Sequence, residues 1–549
     1  MANWLRPGCP GSMAQSPPSQ RPDRRRVAAI DIGTNSIHLL IAEVDEELRS
    51  FSVLLAEKAT TRLGERDPDS GDLSPASIER AFRTLRHDKE LAESHQVEQI
   101  VTAATSAVRE APNGRDFVQA LYDQLGLSVD LVSGPEEARL IYLGVLSGMG
   151  FGEQPHMILD IGGGSTELVL GDGRDARVLT STRIGAVRLQ REFCQQEPLP
   201  LERQRFLKAY IQGALDPAVS ELKRALQPGE QPRLVGTSGT AMALASLAAA
   251  AEAKPPLKLQ GYRLPKQRID ELVEALVAMT PEQRRELSAI NERRAEIIVP
   301  GSLILQTAME MVGAPELVVC DRALREGLIV DWMLRNQILG DRFSFQSTIR
   351  ERTVLHLAQS YGIDRERADR VAGHALSLYD QGKGLLHHDS GAGRELLWAA
   401  AQLHTCGKSI NISAYHKHTW YLIRHGELLG FSQAEHLMVA AMARYHRRSL
   451  PKKRHESWQL IEERDQRSMV FSMALLLRLA AALDRRPAAG IAAIRVHPAA
   501  AGVLDLELVP HAPEPREPAI DLSLERWSLR SCSEVVAEAC GLELRVREP

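Results

Sequence analysis

The chain has 549 residues, 44% of them hydrophobic, and a net charge of -4 with both signs mixed along its length. That length exceeds one hydrophobic core and predicts three or four domains. The mixed charge excludes a global basic field for nucleic acid, so a polyanionic ligand requires a local basic cleft.

Six cysteines (Cys9, Cys194, Cys320, Cys406, Cys532, Cys540) are scattered without metal-type spacing, which fits a reducing, cytoplasmic setting better than a disulfide framework. By inspection no apolar run reaches the length of a membrane helix, so no membrane association is expected. Residues 1–26 are rich in Pro, Ser, Gln and Arg and lack an apolar signal core. They read as a disordered leader, and either Met1 or Met13 serves as the start.

Order is expected from Val27. An apolar run, the turn Asp31-Ile-Gly-Thr-Asn-Ser36 and a second apolar run predict two strands joined by a phosphate-cradling turn. A strand at 51–55 follows, then a polar loop with Arg62, Gly64 and Glu65, and an amphipathic helix over 74–95. The strand at 99–104 runs into Thr105-Ser-Ala-Val-Arg-Glu110. Arg109 follows that strand end, where α/β folds place ligand contacts, and its guanidinium suits a phosphate; a surface salt bridge is the other reading. A helix over 113–126 and a strand at 128–131 lead to Gly134-Pro-Glu-Glu-Ala-Arg139. Taken alone, Glu136 and Glu137 there are ordinary first-turn acids that complement a helix dipole.

The stretch Met157-Ile-Leu-Asp-Ile-Gly-Gly-Gly-Ser-Thr-Glu-Leu-Val-Leu170 repeats the opening pattern, with Asp160-Ile-Gly-Gly-Gly-Ser165 answering Asp31-Ile-Gly-Thr-Asn-Ser36. Two such hairpins predict duplicated halves facing each other across a cleft. Asp160 and Glu167 flank the second turn and suit a hard cation beside phosphates. Strands follow near 177–179 and 234–236. Gly236-Thr-Ser-Gly-Thr240 then opens an Ala-rich helix over 241–253, a third cradle in which Gly236, Thr237, Ser238 and Gly239 offer donors. Arg293 and Arg294 precede an apolar helix. Residues 317–327 read as a strand delivering polar side chains to a helix start.

From about 344 to 484 the pattern is amphipathic, Ala/Leu-rich and His-rich, which predicts an all-helical domain. Residues 491–549 regain alternation and predict a small α+β module, with a turn-rich loop over 510–518. The strongest basic run is Arg447, Arg448, Lys452, Lys453 and Arg454; a channel for a long polyanion and a solvated loop are equally compatible with it.

Together, these motifs resemble the exopolyphosphatase and guanosine pentaphosphate phosphohydrolase (Ppx/GppA) family. The motifs that carry the resemblance span residues 27–330, from Asp31-Ile-Gly-Thr-Asn-Ser36 to Arg322-Ala-Leu-Arg-Glu-Gly327. The implied fold is α/β, with two actin-like ATPase (ribonuclease H-like) domains around a cleft. An all-helical HD-like domain and a small α+β C-terminal domain follow. The expected boundaries are 1–26 for the leader, 27–145 and 146–335 for the actin-like domains, 336–488 for the helical domain and 489–549 for the last.

The resemblance implies an Mg²⁺-dependent phosphohydrolase, with Mn²⁺ as a substitute and no organic cofactor. It would release terminal phosphate from polyphosphate, from guanosine pentaphosphate, or from both. Glu137 would activate the attacking water, and Asp160, Glu167 and Asp31 would hold the metal. Asn35, Ser36, Arg109, Gly163, Gly164, Ser165 and Gly236 to Gly239 would cradle phosphates. A homodimer is also implied. In the HD-like domain His374, His404 and Asp484 fit a metal site, but Thr405 replaces the aspartate of its His-Asp pair, so a metal-free domain is expected. Two alternatives stand beside this reading: a phosphotransferase of the same superfamily, and a non-catalytic polyphosphate or alarmone sensor.

Overall fold

The structure is a computed structural model that describes residues 25–152, 154–339, 349–389, 391–487, 489–497, 502–511 and 520–547. The expected leader therefore lies outside the described residues except for Arg25 and Arg26, which already belong to the first strand. Most of the 510–518 loop also lies outside them.

The first half is built on β1 (Arg25–Ile32), β2 (Ile37–Asp45) and β3 (Ser50–Ala59), an antiparallel meander. β3 runs four residues beyond the expected strand end. Helices α1 (Pro75–Ser94), α2 (Ser106–Arg109), α3 (Gly114–Leu125) and α4 (Gly134–Gly148) connect β4 (Gln99–Ala104) and β5 (Asp130–Leu131), which extend the sheet in parallel beyond β1. The resulting strand order is β3-β2-β1-β4-β5. The second half repeats it with β6 (His156–Ile161), β7 (Thr166–Gly171), β8 (Ala176–Thr182), β9 (Arg233–Thr237) and, after the edge strand β10 (Arg263–Pro265), β11 (Glu316–Val319). Its order is β10-β11-β9-β6-β7-β8, so β8-β7-β6-β9-β11 matches the first sheet strand for strand. This duplicated mixed sheet is the actin-like, ribonuclease H-like arrangement.

Strands β1, β2, β6 and β7 are apolar on both faces because both faces are covered. Helices α1 and α3 cover the outer face of the first sheet. The outer face of the second packs against α5 (Ala186–Phe193), α6 (Leu201–Ala225), α7 (Ser238–Ala250), α8 (Lys266–Ala278) and, after the short α9 (Pro281–Arg285) and α10 (Glu292–Ala295), α11 (Ile298–Val312). Between the sheets lie α4 and α12 (Leu324–Arg335), which share one core with the inner faces of both. These two helices cross at reciprocal glycines: a Cβ on Gly144 would overlap the Ala323 carbonyl, and one on Gly327 the Leu140 carbonyl. Arg139 bonds Glu136 and also Asp331 of α12 at 2.7 Å, locking the crossing. The crossing matters because α4 carries Glu137.

The helical region comprises α13 (Ile349–Ser360), α14 (Arg365–Gln381), α15 (Ala392–Leu403), α16 (Tyr415–His425), α17 (Gln433–Tyr445), α18 (Glu456–Gln459) and α19 (Arg464–Leu483). Contrary to the sequence reading, α19 is long and apolar enough to cross a membrane by length and composition. Its residues from Val470 to Leu483 fill the centre of the helical core. The tail contributes β12 (Ile491–His497), β13 (Val503–Pro510), α20 (Ser523–Arg530), α21 (Ser533–Cys540) and β14 (Glu543–Val546), in a sheet ordered β12-β13-β14. Its apolar side chains join the same continuous core as the helices.

Candidate active site

The two glycine turns meet between the halves. Each is closed by the same backbone bond, Gly33 N to Ser36 O at 3.1 Å and Gly162 N to Ser165 O at 2.9 Å. They approach so closely that a Cβ on Gly164 would sit 2.5 Å from Ser106 Oγ and 2.8 Å from Thr34 Oγ1. Only glycine permits that contact. A cross-half clamp holds it: Arg188 donates to Gly164 O at 3.1 Å and to Glu110 Oε2 at 2.6 Å, and Ser106 Oγ donates to Glu110 Oε1 at 2.8 Å.

A cleft of about 450 Å³ opens along this seam. Asn35, Ser36, Gly163, Gly164, Ser165, Ser238 and Gly239 line it. A larger cavity of about 940 Å³ lies between the second half and the helical region. It meets the cleft at Asp321 but contains neither glycine turn and none of the carboxylates described next.

Asp31, Glu137, Asp160 and Glu167 all face the cleft. Asp31 and Asp160 sit at equivalent places near the ends of β1 and β6. Their cross-strand partners differ: Asp31 lies opposite His38, whereas Asp160 lies opposite Glu167. Like charges directly opposite on a sheet repel, so the second hairpin carries a charge arrangement that folding alone does not favour. Burial raises all four carboxyls. Asp31 is pushed to about 7, with Glu137 and Asp160 adding repulsion and Arg325 opposing it. Glu137 also reaches about 7, and Asp160 about 6, while Glu167 is raised well above the carboxylate range by burial and then by Glu137 and Asp160.

The hydrogen bonds at these groups leave oxygens free. Ser238 Oγ donates to Asp160 Oδ1 at 2.5 Å, and Ser181 Oγ to Glu167 Oε1 at 2.7 Å. Asp31 Oδ1 is buried with no partner. Ser238 holds its bond from a left-handed backbone, φ 65°, a conformation that costs a non-glycine residue about 1 kcal/mol or more and collects at functional sites. Buried, mutually repelling carboxylates, with the Asp31 oxygen orphaned among them, fit a dication well, since its charge would let all four ionise. Among the described residues, no three of the four bring ligand atoms within 4.8 Å of one another.

Arg109 forms an ion pair, the second of the two readings its sequence position allows, with a buried partner. It does not line the cleft; its guanidinium donates to Glu137 Oε2 at 2.9 Å and to Val132 O at 2.8 Å. The geometry makes it a partner of Glu137, because α2 ends against the start of α4. Glu137 Oε1 has no partner among the described residues and is free to take a water. Gly236 and Thr237 also stand behind the cleft wall. Gly236 packs on Leu317, and Thr237 Oγ1 donates to Arg322 O at 2.8 Å, because both residues still belong to β9. The cradle begins only at Ser238, where the chain turns.

Facing the carboxylates are cations to which the sequence reading gave no role: Lys58 of β3, Arg294 of α10 and Arg325 of α12. Arg294 packs its guanidinium on Gly239, where a side chain would overlap it. His38 stays neutral among them, lowered to about 3 by burial, then by Arg325 and Lys58. These four residues come from four separate elements; the available signals were the Arg293-Arg294 pair before an apolar helix and the polar stretch 317–327 that holds Arg325.

In the helical region, Asp484 Oδ1 accepts from Arg370 Nε at 3.0 Å and Oδ2 forms an ion pair with Arg367 at 2.5 Å, so guanidinium groups engage the carboxylate that the HD resemblance assigns to a metal. His404 donates from Nδ1 to Ala401 O at 2.6 Å, and burial lowers it to about 4. The basic run forms an exposed loop after α17, in which Arg447 stacks on Tyr415.

Residues 40–336 match the family described as the Ppx/GppA phosphatase family, and residues 349–508 match Ppx/GppA phosphatase, domain III. Among solved structures, an exopolyphosphatase from Cytophaga hutchinsonii is 25% identical, covering 58% of this chain and 100% of its own, with a TM-score of 0.52. An exopolyphosphatase-like protein is 26% identical over 57% of this chain and 99% of its own, with a TM-score of 0.51. A Ppx/GppA family member from Aquifex aeolicus is 30% identical over 57% of this chain and 99% of its own, with a TM-score of 0.49.

Proposed function

The chain belongs to the Ppx/GppA phosphatase family and is a phosphohydrolase; on that premise we propose that it removes terminal orthophosphate from inorganic polyphosphate, guanosine pentaphosphate or both, with Mg²⁺ as its cation. The observation that carries this reading is the meeting, in one cleft, of two glycine turns, four buried carboxylates and three cationic side chains.

The turns would cradle the terminal phosphate through their N–H groups, with Asn35, Ser36, Ser165 and Ser238 supplying side-chain donors. Lys58, Arg294 and Arg325 would offset the charge of the next phosphates along the chain. Asp160 and Glu167 would hold Mg²⁺, or Mn²⁺ in its place, with Asp31 near it. When bound, the ion neutralises phosphate oxygens and stabilises the charge that spreads over them during transfer. Glu137 would take the proton of the attacking water at Oε1, while Arg109 fixes the other oxygen. A base with a pKa near neutrality suits that role. The water attacks phosphorus, the bridging oxygen leaves with the shortened chain, and no covalent enzyme intermediate is needed.

Orthophosphate release from long polyphosphate and from guanosine pentaphosphate, measured on one preparation with and without a chelator, tests this. Turnover of either substrate that stops with the chelator is expected. No turnover of either would sink the proposal, and transfer only in the presence of an organic acceptor would favour a kinase.

A further inference from the structure

Away from the four carboxylates, at the outer edge of the first sheet, Glu57 of β3 meets His87 and Asp88 of α1. Ligand atoms of all three lie within 4.8 Å of one another, the one such trio among the described residues. His87 Nε2 and Glu57 Oε2 are 3.3 Å apart. Two ligands each about 2.0–2.2 Å from a tetrahedral ion sit about 3.4 Å apart, so that spacing already matches a coordination edge.

Asp88 supplies the second observation. It is 3% exposed, yet its carboxylate has no hydrogen bond and no ion pair among the described residues. A carboxylate with so little exposure is costly to ionise unless a positive charge stands beside it. The charged groups that bear on it are His87 and Glu57 alone. No lysine or arginine compensates this second acid, whereas the exposed acids of the chain that form ion pairs do so on the surface at little gain.

We propose that Glu57, His87 and Asp88 bind a divalent transition-metal ion of the Zn²⁺ or Co²⁺ type. One imidazole with two carboxylates selects such a borderline ion over Mg²⁺, which takes oxygen ligands alone. The side chains of His87 and Glu57 are 62% and 43% exposed, so water can fill the remaining positions and the ion can enter. The ion would tie α1 to the strand that carries Lys58 to the rim of the cleft.

Equilibrium dialysis of the chelator-stripped, full-length protein against Co²⁺ tests this, with the visible absorption of bound Co²⁺ as the readout. It is run on an Asp160→Asn, Glu167→Gln background, so that Co²⁺ at the proposed catalytic site does not contribute. One ion per chain is expected, with bands that show imidazole coordination. His87→Ala, an exposed position that folding does not depend on, and Asp88→Asn, which keeps the shape, should each weaken binding more than about tenfold, the loss that even outer-shell changes reach. Co²⁺ should raise the melting temperature of the parent but not of either variant. Absence of Co²⁺ binding on that background, or binding that both variants retain, would overturn the proposal.

Discussion

At the scale of single residues, the account rests on Glu137 and on the group that touches it. Glu137→Gln keeps the shape and the Arg109 contact but removes the base, and should lower kcat by about 10²–10⁴-fold with the fold unchanged, as steady-state phosphate release and circular dichroism would show. The pH profile gives a finer test. Glu137 works only when ionised, and burial holds its proton to higher pH than an ordinary carboxyl. The acid limb of kcat/KM should therefore lie above the usual glutamate value of about 4.3. Arg109 opposes that shift through its charge and its hydrogen bond. Removing it in Arg109→Gln should move the acid limb to still higher pH; a limb that stays in place would show that Arg109 does not act through Glu137.

At the scale of elements, the crossing of α4 and α12 sets where Glu137 points. Any side chain at Gly144 must push the Ala323 carbonyl aside. Gly144→Ala should cost about 1–3 kcal/mol, as overpacking does, and lower the melting temperature by a few degrees. Because the helix would shift with its load, kcat should fall as well. The elements themselves were largely legible in the chain: paired apolar runs around glycine turns, a Ser-capped helix after residue 74, and alternation of strands with amphipathic helices are all local signals. So were the turns at Asn35, Ser36 and Gly163 to Ser165, since a glycine-rich turn carries its own geometry. What escaped is tertiary. Thr237 lies beyond the expected strand end at Gly236 but remains in β9, because the strand continues to pair with β6 up to Thr237. Arg109 follows a strand end, yet the packing of α2 on α4 turns it to Glu137. Lys58, Arg294 and Arg325 converge from three elements, and only the fold brings them together. The apolar length of α19 was underestimated because Arg464, Asp465 and Arg467 open the helix and Arg478 interrupts its apolar run.

At the scale of the whole molecule, the helical half carries an acid response in its buried histidines. His404, lowered to about 4, and His446, lowered well below the ordinary value, are buried neutral in the helical core, and the half-buried His436 is lowered to about 4. Each would take up a proton in the unfolded chain below its ordinary value of about 6.5 but not in the folded one. The unfolded state then binds more protons, so stability falls as pH drops from about 6.5 towards 4, by about 1–3 kcal/mol for each fully buried ring. Thermal unfolding followed between pH 7 and 4.5 should show the melting temperature falling steadily, and His446→Gln should flatten that slope. A pH-independent melting temperature would mean that the rings are solvated. The central claim is that this cleft hydrolyses phosphoanhydride bonds with Glu137 as the base for water. Its most direct test is orthophosphate release from excess polyphosphate and guanosine pentaphosphate with Mg²⁺, by the parent chain and by Glu137→Gln side by side. Many turnovers by the parent and almost none by the folded variant are predicted; equal rates for the two proteins would contradict it.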